Sequence, residues 1–148
     1  MRANLILCLV GLLACEPMEP CPTGDDLSAW QLHTNTLVRK VDIPLDRCRR
    51  QPELRAEMLP GGRVSASRMF SLSAASTVYL DSRAAHAAAG FAGPCFLPSV
   101  RVDGEVVPDI SARFSIKAGS HTAEVAVEVP ADGRACAARM EPRMEVSQ

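Results

Sequence analysis

The residue types able to do chemistry are sparse in this 148-residue chain, and they lie far apart. Ser120 and His121 are the one adjacent serine and histidine, a nucleophile beside a base. Neighbours on a strand point to opposite faces, so adjacency works against a hydrogen bond between them. No serine sits in a G-x-S-x-G elbow. His33, His86 and His121 are widely separated and form no H-E-x-x-H or comparable spacing, so no metal site is expected. Asp25-Asp26 lacks the periodic ligands of a calcium loop and reads as a cap or solvated linker. Pro60-Gly61-Gly62-Arg63 reads as a turn, because the G-K-[ST] ending of a phosphate cradle is missing. The expectation is a chain with no catalytic residue and no cofactor.

Composition narrows the class further. Lys+Arg (16) nearly cancels Asp+Glu (17), which excludes a strongly basic nucleic-acid binder and a highly charged disordered tail. Aromatics are only 4 % of residues, so a core must be assembled from Val, Leu, Ile and Ala. Only Lys40 and Lys117 are lysines; the other basic residues are arginines, which reads as a genomic bias.

Arg2 gives the N-terminus a positive start, and residues 5–13 form an apolar run. As a helix that run spans about 14 Å, half of a hydrocarbon core of about 30 Å, which is the length of a signal-peptide h-region rather than of a membrane span. It ends in Leu12-Leu13-Ala14-Cys15, which resembles the lipobox of bacterial lipoproteins cut by signal peptidase II. The resemblance covers only this N-terminal segment; no family is recognised for the rest. It implies that residues 1–14 are removed and that Cys15 becomes a first residue carrying diacylglyceryl and acyl groups. It further implies a membrane-anchored protein of the bacterial cell envelope. In enteric bacteria an Asp after the cysteine favours the inner membrane; Glu16 here points to the outer membrane, on its periplasmic or surface face.

With Cys8 lost and Cys15 acylated, Cys21, Cys48, Cys95 and Cys136 remain, an even number in an exported chain, so two disulfides are expected. Of the three possible pairings, Cys21–Cys48 with Cys95–Cys136 is preferred, because each pair brackets one contiguous half of the domain. Around Cys48 crowd Arg47, Arg49 and Arg50, flanked by Asp46 and Glu53. On a tethered domain these arginines would meet anionic headgroups, at about 1 kcal/mol each near the surface.

The elements that position these residues read as β. Residues 15–27 form a polar, Pro-rich tether and residues 28–148 the domain. Trp30, Leu32 and Val38 share a face, Val41 and Ile43 take the other, and the slip predicts a bulge near Arg39-Lys40. Val64, Ala66, Phe70 and Leu72 alternate with polar residues, and Asp103-Gly104 suits a type I′ hairpin. The clearest strand spans residues 122–129, with Ala123, Val125, Val127 and Val129 on one side. Ala135 begins an edge strand that carries Cys136, and the chain frays from Glu141. Two short helices interrupt the strands, one from Pro52 through Met58 and one capped by Ser82 and stopped at Gly90. The fold class expected is a small antiparallel β-sandwich, immunoglobulin-like in the broad sense.

The function expected is a lipid-anchored, non-catalytic module that binds or supports another envelope component, with no nucleic-acid partner. The alternatives are an accessory lipoprotein of a machine for adhesion, secretion or gliding motility, and a carbohydrate- or small-ligand-binding module. The Ala118–Ser120 loop and the Ser82–Pro98 excursion are the candidate partner loops; in the excursion Phe91 and Phe96 are expected to plug the sandwich end, with a partner-binding surface as the alternative.

Overall fold

Alternating side chains turn inward along antiparallel strands in the computed structural model, which describes residues 19–21, 26–86, 95–108 and 111–147. In chain order the strands are β1 (Gln31–Thr34), β2 (Val38–Asp42), β3 (Leu54–Met58), β4 (Arg63–Leu72), β5 (Ser76–Asp81) and β6 (Ala85–His86). Then come β7 (Leu97–Val102), β8 (Glu105–Val107), β9 (Ser111–Ile116), β10 (Gly119–Glu128), β11 (Cys136–Met140) and β12 (Arg143–Ser147). The first layer is a sheet in the order β1-β4-β10-β7-β8. The second consists of two sheets, β2-β3-β11-β6 and β12-β5-β9. These two run into one another, since Asp81 pairs with Arg143, the Glu141 N–H donates to the Ser82 carbonyl (3.0 Å), and Ala85 pairs with Arg139. β10 packs against both β11 and β5, which closes the antiparallel sandwich.

The core follows the alternation. Ala123, Val125, Val127 and Val129 are fully buried, as are Val64, Ala66 and Val100 beside them. Leu54, Val78, Leu80 and Met140 face them from the second layer, also at 0 % exposure. Each such Val or Leu contributes about 1.5–3 kcal/mol by leaving water, and this aliphatic packing replaces the aromatic core the composition denies.

Turn chemistry matches the strands. Asp103 (φ 51°) and Gly104 (φ 85°) form the tight β7–β8 hairpin with both central residues left-handed, as a type I′ turn requires. Pro60-Gly61 is a type II turn, with Gly61 at φ 80° and the Gly62 N–H bonded to the Leu59 carbonyl (2.8 Å). The bulge falls between Val38 and Lys40.

Four details differ from the sequence reading. Residues 54–58 are strand β3, not helix: Leu54, Ala56 and Met58 are buried while Arg55 and Glu57 are exposed. A spacing of four is shared by helix and strand, and pairing to β2 and β11 on either side decides for the strand. The helix expected after Ser82 does not start, because the Asp81 carboxylate takes the Arg83 N–H (2.8 Å) and Ala85–His86 joins β11; residues 87–90 lie outside the described residues. β11 is an interior strand rather than an edge. Beyond Glu141 the chain pairs as β12 along β5, with Met144 packed on the core.

Candidate functional site

The two ends of the sandwich differ, and the register says which residues share an end. On β3, Leu54 lies opposite Met140 and Met58 lies opposite Cys136, about 13 Å apart at 3.3 Å per residue. The β2–β3 loop, residues 43–53, therefore sits at one end of the β2-β3-β11-β6 sheet, and the start of β11 at the other.

Both expected disulfides are present, Cys21–Cys48 and Cys95–Cys136. They occupy opposite ends. Cys48 belongs to the β2–β3 loop, whereas Cys136 opens β11. Around Cys48 the loop is shaped by one carboxylate. Asp46 Oδ1 accepts the N–H groups of Cys48 (2.8 Å) and Arg50 (2.9 Å), and Oδ2 accepts the Arg50 Nε (3.1 Å) and Nη2 (3.0 Å). The Arg50 N–H above all, with its guanidinium and the Cys48 N–H, holds this carboxyl below the usual Asp range. Arg49 is carried outward at φ 59°.

The three arginines consequently separate. Arg50 is spent on Asp46. Arg47 makes one contact with Glu19 (3.4 Å), between side chains that are 64 % and 82 % exposed, an ion pair of small worth. Arg49 is exposed and has no ion pair among the described residues. Beside them stands Leu45, 62 % exposed, which the sequence reading passed over. The signal was an apolar residue inside Pro44-Leu45-Asp46-Arg47-Cys48-Arg49-Arg50. The N-terminal turn is stitched to the same loop, since the Leu27 N–H donates to the Gln51 carbonyl (2.9 Å) and Asp26 accepts the Ser28 N–H (2.9 Å). Leu27, placed in the tether by the sequence reading, is 4 % exposed and part of the core.

The opposite end bears a cleft of about 220 Å³ lined by Cys95, Phe96, Leu97, Pro130, Gly133 and Arg134. Phe96 is 4 % exposed, so this ring plugs the sandwich end; Leu97 beside it is 62 % exposed. Phe91 and Cys15 lie outside the described residues.

The adjacent pair Ser120-His121 is not a dyad. Ser120 faces outward and shares a hydrogen bond with Ser71 (3.2 Å), whereas His121 turns inward. His121 bridges two connections: Nδ1 meets the Asp103 carboxylate (2.8 Å) and Nε2 meets the Lys117 carbonyl (2.9 Å). Both partners only accept, so both ring nitrogens must carry hydrogens, and the arrangement suits the imidazolium. The Asp103 hydrogen bond, then the Lys117 carbonyl, raise the His121 pKa above the ordinary 6.5; the same bond lowers that of Asp103. His33 bonds Ser67 across the outer face of the first layer (3.1 Å). Among the described residues no three His, Cys, Asp or Glu side chains gather where they would hold a metal ion.

Ion pairs span the outer face of each layer. Arg63 joins Glu124 (2.6 Å) and Glu128 (3.7 Å) on the outer face of the first layer, and Glu53 lies between Arg55 (2.8 Å) and Arg139 (3.5 Å) on the second. No aromatic ring is exposed among the described residues. Trp30 is 6 % exposed, and Tyr79 is half-buried with its hydroxyl on Asp81 (3.0 Å) and Arg113 over its ring.

No family model matches the chain, and no curated protein matches it. Among solved structures it is similar to a carbohydrate-binding module, TmCBM61, in complex with beta-1,4-galactotriose, at 13 % identity and a TM-score of 0.46, covering 83 % of this chain and 90 % of that one.

Proposed function

We propose that the chain is a lipid-anchored, non-catalytic module of the bacterial cell envelope that binds another envelope component through the sandwich end remote from its tether. Cys15 carries the anchor, and the acyl chains, at about 0.8 kcal/mol per buried methylene, make attachment effectively permanent. The observation that carries this reading is the polarity of the molecule. One end is bridged to the N-terminal segment through Cys21–Cys48, and the other presents the cleft edged by the exposed Leu97. A partner meeting the domain above the membrane reaches that outer end first. Ser120 and His121 are bonded to Ser71 and to Asp103 and Lys117 rather than to each other, and form no nucleophile–base couple.

Cross-linked affinity capture of the full-length lipidated protein from its own membranes tests this, with Leu97→Glu run beside the unaltered chain. A reproducible set of partners that Leu97→Glu loses supports the reading and identifies the assembly. An identical set from both proteins overturns the assignment of the binding end. Recovery of the protein alone overturns binding to a protein partner and directs the search to glycan or small-molecule ligands.

A further inference from the structure

The Cys21–Cys48 bridge has a consequence for how the domain sits, given the lipid anchor proposed above, on which this inference rests. From Cys15 to Cys21 the chain has six steps, which extend to about 20 Å at 3.3–3.6 Å each. Without the bridge the span from Cys15 to Asp26, the next described residue bonded to the folded body, extends to about 40 Å. The cross-link thus confines the β2–β3 loop to the bilayer surface, within a few Debye lengths of about 8–10 Å.

We propose that the segment 43–50 is a docking surface for anionic phospholipid headgroups, with Leu45 entering the interface and Arg47 and Arg49 meeting the phosphates. Leu45 is a strongly exposed apolar residue, at 62 %, and the two arginines flank the bridged cysteine. The acidic groups of this end are mostly engaged: Asp46 by Arg50, Glu53 by Arg55 and Arg139, and Asp26 by the Ser28 N–H. Asp42 faces Arg55 across the β2–β3 ladder. Glu19 neutralises Arg47 only through an exposed contact that a phosphate can replace. Within the segment 43–50 itself three arginines stand against one aspartate, around one apolar side chain held in shape by the Asp46 turn and brought to the bilayer by a covalent leash.

The test uses the full-length lipidated protein in vesicles of brominated phosphatidylcholine with and without phosphatidylglycerol. Tryptophan is placed at the loop (Leu45→Trp) or on the outer face of the first layer (Met69→Trp, where Met69 is 79 % exposed). The native Trp30 is buried and gives a constant background. The expected result is strong quenching at position 45 and little at position 69, greater with phosphatidylglycerol. Arg47→Gln and Arg49→Gln should each lower the docked-to-undocked ratio about fivefold, the equivalent of about 1 kcal/mol per basic residue near an anionic surface. Equal quenching at both positions, in protein whose mass shows acylated Cys15, overturns the docking surface and leaves the anchor standing. Quenching indifferent to phosphatidylglycerol and to both arginines overturns the headgroup assignment. Protein without acyl groups overturns the anchor and the docking together.

Discussion

Removing the Cys95–Cys136 bridge with the double substitution Cys95→Ala/Cys136→Ala probes how much of this fold depends on cross-linking. The bridge spans a sequence separation of 41. In the chain-entropy account a loop of that size contributes about 4 kcal/mol by restricting the unfolded chain. A domain of this length shifts its midpoint by roughly 3–5 °C per kcal/mol, so Tm should fall by about 10–20 °C. The Cys21–Cys48 bridge, with a separation of 27, contributes about 3.5 kcal/mol by the same relation. The two lie at opposite ends and share no partner, so their losses should add. Together they amount to about 7–8 kcal/mol, comparable with the whole stability of a small domain, about 5–15 kcal/mol. The quadruple variant is therefore expected to be largely unfolded at physiological temperature. Thermal unfolding by circular dichroism, with all variants compared in the same buffer, reads these losses directly. A drop of only a few degrees for Cys95→Ala/Cys136→Ala would refute the reasoning, and would mean that the aliphatic core suffices alone.

Two further perturbations separate other parts of the account. The folded His121 has a raised pKa, so its contribution is complete below the unfolded value of about 6.5 and is lost as pH rises through the folded value. Asp103, with a lowered pKa, adds stability above about 3.8 that is lost as pH falls through its folded value. Tm measured from pH 5 to pH 9 should thus decline toward alkaline pH more steeply in the unaltered protein than in His121→Gln, and parallel curves would contradict the bridge. Leu54→Ala, at a fully buried position, should cost about 2–5 kcal/mol in denaturant unfolding. Leu45→Ala, at an exposed one, should stay within about 0.5 kcal/mol, and equal costs would contradict the assigned faces.

What was legible in the sequence is what periodicity and turn chemistry encode. The alternation of Ala123, Val125, Val127 and Val129 marked the buried face of β10, and Asp103-Gly104 marked the β7–β8 hairpin, because period two and left-handed residues have few other readings. β3 was missed because Leu54 and Met58 fit two periods, and only its ladder partners choose between them. β12 was missed although Arg143, Met144, Glu145, Val146 and Ser147 alternate, because the run is short with only two apolar residues, and its place comes from pairing along β5. Disulfide pairing followed from bracketing, which mirrors the two ends of the fold. The loop around Cys48 was half legible. The arginines were visible, but the commitment of Arg50 to Asp46 is a tertiary hydrogen-bonding outcome, and it left Leu45, Arg47 and Arg49 as the exposed set.

The measurement that tests the central claim most directly is the intact mass of the protein purified from its native membrane, with fragmentation of its N-terminal peptide. The account predicts a mature chain beginning at Cys15, its thiol carrying diacylglyceryl and its amino group acylated, with Cys21 bound to Cys48. An unmodified Cys15, or a chain that begins elsewhere, would contradict it.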